Sequence, residues 1–267
     1  MLSSLSRLLT YLTAALYAIL GALLFVMPEQ LAPVFAWKVT PFMTITIGGW
    51  CLGNAWAAFL IARRWTWERV FSSLLYLGLF AVGELLVVYL FRSKLNLTHP
   101  IAWLYLVTLL TNAVLACVAL IEALRSRPQL KPAEIATNAL QNTFLALFII
   151  FVGFLGIYGC SAQVGWVGTN GGIFPEVMSL FTLRSFGVFY LCIALGVAPY
   201  VKYKSRDALL NHGFISFGLI VFITAAAFAY IGVFDFAAKP GGLAYFGAYI
   251  VVGIVLLNYY RKYGTGA

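Results

Sequence analysis

Eight apolar runs, each closed by proline, glycine or charge, organise this chain. They cover residues 8–27, 41–62, 71–91, 101–124, 140–160, 177–200, 210–233 and 242–260. A helix rising about 1.5 Å per residue needs about 20 such residues to cross hydrocarbon about 30 Å thick, and every run has the length. The breaks read, among others, MPEQLAPVFAWKVTP, ARRWTWERV, RSKLNLTHP and VKYKSRDAL. Such clusters stop one helix and start the next. The pattern predicts an all-α polytopic membrane protein with eight transmembrane helices. The first run follows Arg7 and has no small-residue cleavage site before Pro28, so it reads as a retained helix rather than a signal peptide.

Two helix starts look alike: Thr44-Ile45-Thr46-Ile47-Gly48-Gly49-Trp50 and Thr182-Leu183-Arg184-Ser185-Phe186-Gly187-Val188. Thr44 matches Thr182 and Gly49 matches Gly187, an offset of 138 in each case. Four helices in each half keep both halves in one orientation. This predicts a parallel repeat of two four-helix bundles, related by an axis along the membrane normal. The N-terminal bundle is 1–124, a polar linker with two prolines is 125–139, and the C-terminal bundle is 140–267. The layout of one half, with a long connection after its first helix, resembles that of DoxX-like membrane bundles. The resemblance is of layout alone and brings no site residues with it.

Composition sharpens the picture. The chain is 63% hydrophobic and 9% charged, where soluble domains carry about 25% charged residues. Its net charge of +9 would suit nucleic acid only if the cations shared a face. Instead they sit in short loops. With the N-terminus inside, cytoplasmic segments hold Arg7, Arg63, Arg64, Arg69, Arg125, Arg127, Lys131, Lys202, Lys204, Arg206, Arg261 and Lys262, twelve of seventeen. The opposite loops hold Lys38, Arg92, Lys94 and Lys239. This bias places both termini in the cytoplasm, and the short loops point to a plasma or bacterial inner membrane. Four cysteines without a CxxC pair indicate neither a disulfide framework nor a thiolate metal site.

The candidate chemistry is sparse. Glu84 and Arg184 lie inside apolar runs, where charge is costly and commonly paired. Counted along their helices, both come about 10 Å below the same membrane edge. An ion pair joining the halves is the first expectation, and a pocket for a polar head group or quinone the second. Thr46, Asn54, Asn112, Ser185, Tyr190 and Thr224 are candidates for a polar lining or for interhelical hydrogen bonds. Gly49 and Gly53 have the GxxxG spacing of close helix approach. His99 precedes Pro100 in a loop and His212 sits near the cytoplasmic edge, so two-histidine haem ligation has no support. The aromatic stretches 33–37 and 166–175 are expected to lie along the outer interface and cap the bundle.

No HExxH, GxSxG or P-loop motif occurs, and Glu84 is the one carboxyl group deep in a span. Paired-carboxylate catalysis is therefore disfavoured. The expectation is a non-enzymatic subunit or scaffold of a larger membrane complex, with lipid or quinone between its halves. Its partners would be membrane lipids and other membrane subunits, with no nucleic acid. A carrier or flippase for a lipophilic substrate is the alternative, and an intramembrane lipid-modifying enzyme the third.

Overall fold

The computed structural model describes residues 3–163 and 175–263. Among the described residues the regular structure is helical. The α-helices are α1 (Ser4–Val26), α2 (Pro28–Leu31), α3 (Pro41–Arg63), α4 (Trp67–Leu90), α5 (Pro100–Ser126), α6 (Ala139–Ser161), α7 (Leu180–Val197), α8 (Arg206–Ala229) and α9 (Gly241–Tyr263). All but the short α2 are long and apolar enough to cross a membrane, eight in total. With the N–H groups beyond the first turn bonded inside their own segment, such helices are the natural spanning element in lipid.

Most starts are set by a polar side chain that accepts from an otherwise orphaned N–H. Ser3 accepts from Ser6 N, Thr40 from Met43 N, Asn138 from Gln141 N, Ser179 from Thr182 N and Ser205 from Ala208 N. Proline at the first helical position reinforces α3 and α5.

Hydrogen bonds gather the connections into two ends. Arg7 Nε donates to Ala62 O at 2.8 Å, Thr137 N to Lys204 O at 2.9 Å and Arg206 N to Ile135 O at 3.0 Å. The N-terminus, the linker and two interhelical turns thus share one end, called here the linker end. At the other, distal end, Asn96 N donates to Ala36 O at 2.8 Å and Tyr230 OH to Glu29 Oε1 at 2.6 Å.

α3 lies at the centre. It packs against α1 on one side and α8 on the other, while α4 packs against both α5 and α7. Small residues make the approach possible. A Cβ built on Gly53 would come within 2.7 Å of Leu219 Cα, and one on Gly49 within 3.1 Å of Phe222 O. The GxxxG pair of α3 therefore faces α8. The Thr/Gly alignment does not carry over to these surroundings. Gly49 meets α8, whereas Gly187 meets Gly159 and Cys160 of α6.

Rings fill the contact between α3 and α7. Trp50 stacks on Phe189 with centroids 4.5 Å apart and planes 9° apart, and Phe186 meets Trp50 edge-on at 4.4 Å. Outward-facing leucines, isoleucines and phenylalanines such as Leu8, Leu86, Leu124, Ile150 and Phe154 stay exposed. That is the surface a bilayer, rather than water, would cover.

Candidate functional site

Glu84 is 1% exposed, so α4 carries it fully into the bundle. Tyr105 of α5 donates to its Oε2 at 3.1 Å. Ser185 of α7 lies beside the carboxyl group, and among the described residues neither Ser185 Oγ nor Glu84 Oε1 makes a hydrogen bond of good geometry. Tyr17 of α1 and Cys51 of α3 are within electrostatic reach of the same carboxyl. Side chains from four other helices thus lie in the neighbourhood of this one acid.

Arg184 is not its counter-ion. The ion pair expected between Glu84 and Arg184 is not formed; among the described residues the salt bridge present is Arg206 with Asp207 at 3.4 Å. Arg184 Nη1 instead donates to Gly159 O at 2.8 Å. Gly159 lies in the last turn of α6, where carbonyls lack an intrahelical N–H and the helix dipole is negative. The guanidinium finds acceptor and countercharge there, within its own half of the chain.

The remaining predicted polar residues divide by neighbourhood. Tyr76 OH donates to Asn54 Oδ1 at 2.7 Å. Asn112 Nδ2 donates to Tyr17 OH and to Leu77 O, each at 3.0 Å. These bonds form a polar seam among α1, α3, α4 and α5. Thr46 stays out of it, returning its hydroxyl to Phe42 O at 2.8 Å. Tyr190 lies elsewhere, 3.0 Å from Tyr249 OH of α9, and Thr224 Oγ1 has no partner among the described residues. Tyr17, Tyr76 and Tyr105 are the contributors that sequence reasoning passed over. The available signal was a phenol inside an apolar run, since a buried Tyr hydroxyl usually seeks a partner. His212, in the second turn of α8 near the linker end, is buried against α4. Its Nδ1 is 2.8 Å from Ser73 Oγ and its Nε2 is 3.4 Å from Ser216 Oγ.

Above the seam, at the distal end, lies a cavity of about 620 Å³. Phe35 and Trp37 form its buried floor, and Lys38, Lys94, Asn96 and Glu29 stand around it. The aromatic stretch 33–37 folds into the distal end of the bundle, with Phe35, Ala36 and Trp37 buried. Trp37 stacks on Phe181 at 4.2 Å, donates to Thr182 Oγ1 at 3.0 Å and meets Tyr105 edge-on at 5.3 Å. The second stretch, 166–175, falls almost wholly on residues 164–174, outside the described residues. Glu29 is engaged by Tyr230, whose hydroxyl is pushed up to about 12 by burial and then by Glu29 itself. The phenol therefore stays a donor across the ordinary pH range.

Chemically, the site offers a polar seam and one buried carboxyl group. Among the described residues no three His, Cys, Asp or Glu side chains converge as a metal site would need. The four cysteines are free, with Cys117 exposed. No family model matches the chain, and no curated protein or solved structure is similar enough to lend it a role.

Proposed function

We propose that the chain is a non-enzymatic integral membrane subunit or scaffold, built from two like four-helix halves with both termini in the cytoplasm. One observation carries this reading: the halves grip each other in a reciprocal way. Gly49 of α3 lies against Phe222 of α8, and Gly83 of α4 lies against Val188 of α7, so the partners exchange roles at an offset of 139 (49 to 188, 83 to 222). The same offset relates the stacked Trp50 and Phe189, and the bonded Ser73 and His212. It also relates the capping residues Thr40 and Ser179. In the first helices, Gly21 against Leu52 and Gly156 against Leu191 repeat one contact, with an offset of 135 between the glycines. A shorter connection in the first half accounts for the four-residue difference.

The packing favours a scaffold over a carrier. A carrier needs halves that rock about a bound substrate, whereas backbone-to-side-chain approaches below 3 Å for an added Cβ leave no slack at Gly53, Gly83 or Gly196. Arg64, Arg206 and the linker cations share the linker end, which supports its cytoplasmic side by the positive-inside bias.

Native mass spectrometry after mild detergent extraction tests the reading. The expected result is a stoichiometric complex with another membrane protein. A particle holding this chain alone, whose unfolding midpoint rises with one lipophilic solute, would replace the scaffold with a carrier.

A further inference from the structure

We infer that the distal cavity is a binding site for the phosphate head group of an anionic phospholipid. The proposal deepens the lipid part of the reading above and rests on the distal end lying at a membrane surface. It does not need the chain to have protein partners.

Two connections that are remote in sequence build the site. Lys38 comes from the segment after α2 and Lys94 from the turn after α4, and Asn96 N to Ala36 O at 2.8 Å pins the two segments together. Neither ammonium has an ion-pair partner among the described residues. Glu29, the one carboxylate at the cavity, already accepts from Tyr230. Asn96 Oδ1 accepts from Thr98 Oγ1 at 2.6 Å and Thr98 N at 3.3 Å. Its Nδ2 is therefore the atom left to donate. The cavity therefore carries two cations and an amide donor against the single charge of Glu29, above the apolar floor of Phe35 and Trp37. Anionic oxygens satisfy such a set, and strongly hydrated lysines serve as point charges for phosphate.

A lipid is favoured over free phosphate by what adjoins the cavity. Val26 and Met27 end α1 just before the cavity segment, Tyr89 and Leu90 end α4 just before the Lys94 turn, and all four are exposed. Acyl chains lying on these last turns would bring a head group to the height of the lysines. The volume of about 620 Å³ also fits the range of small-molecule sites, roughly 300–1,000 Å³.

The test compares the purified chain in nanodiscs of phosphatidylglycerol and of phosphatidylcholine. The expected unfolding midpoint is higher in phosphatidylglycerol by roughly 3–6 °C. The double variant Lys38→Gln/Lys94→Gln should lose that difference while keeping its midpoint in phosphatidylcholine. Arg92→Gln/Lys239→Gln removes equal charge from the same end but outside the cavity lining, and should keep the difference. Equal loss in both variants would mean diffuse surface attraction and would overturn the site. An unchanged difference in the lysine variant would do the same, as would equal midpoints in the two lipids. In detergent, inorganic phosphate alone should leave the midpoint in place; a rise matching that of phosphatidylglycerol would overturn the lipid assignment.

Discussion

A guanidinium held in an apolar bundle bonds the strongest acceptor its own helix can reach, and for Arg184 that is a backbone carbonyl. Residue identity announces carboxylates but is silent about the orphan carbonyls at a helix end, so the sequence pointed to Glu84 while the geometry runs to Gly159. The consequence is measurable. Arg184→Met strands Gly159 O and removes the charge at the α6 terminus, which should cost about 1–3 kcal/mol. Glu84→Gln keeps an acceptor for Tyr105 and should cost less. Because the two side chains have separate partners, the double variant should add the single effects within about 0.5 kcal/mol. Equilibrium unfolding in mixed micelles reads all three. A coupling well above that margin, or recovery by exchanging the two charges, would restore the ion pair that the geometry lacks.

At the scale of helices, glycine acts through what lies opposite it. A Cβ on Gly53 would meet Leu219 Cδ2 at 2.5 Å and Leu219 Cα at 2.7 Å, while one on Gly247 in α9 would meet nothing within 4 Å. Gly53→Ala should therefore overpack the α3–α8 contact and destabilise by about 1–3 kcal/mol. Gly247→Ala should be neutral or stabilise by up to about 1 kcal/mol through helix propensity alone. Equal effects in thermal unfolding would remove the close approach from the argument. The eight spans were legible in the sequence because hydrocarbon thickness dictates their length and composition. Their ends were less so: the run 210–233 became Arg206–Ala229, since Ser205, five residues before the apolar run begins, caps the helix. Glu84 was legible as a lone acid in an apolar run. Its neighbour Tyr105 and the Lys38–Lys94 cavity were not, because long-range packing brings together segments that carry no shared local signal.

For the whole molecule, the proposed repeat raises the question of why two like halves would prefer each other to copies of themselves. The reciprocal contact supplies an answer. Where Gly49 leaves room for the backbone of α8, the corresponding residue of the second half is Val188; where Val188 fills the space over Gly83, the corresponding pair is Gly49 and Phe222. Two N-terminal halves would set Gly49 opposite Gly83 and leave a void, which costs packing. Two C-terminal halves would place Val188 against the α8 backbone, where even a bare Cβ on Gly49 comes within 3.1 Å of Phe222 O. Small opposite large thus specifies unlike pairing and penalises both like pairings. Cutting the chain within the linker and co-expressing the two pieces should yield one-to-one pairs of unlike halves, while each piece alone should stay monomeric or aggregate. Differently tagged halves, resolved by native mass spectrometry, decide the matter. A stable homodimer of either half, competing equally with the mixed pair, would show that the glycine and valine pattern does not select the partner. Gly83→Val should weaken the mixed pair, because the new side chain competes with Val188 for one space. Adding Val188→Gly should recover it by exchanging which helix supplies the bulk.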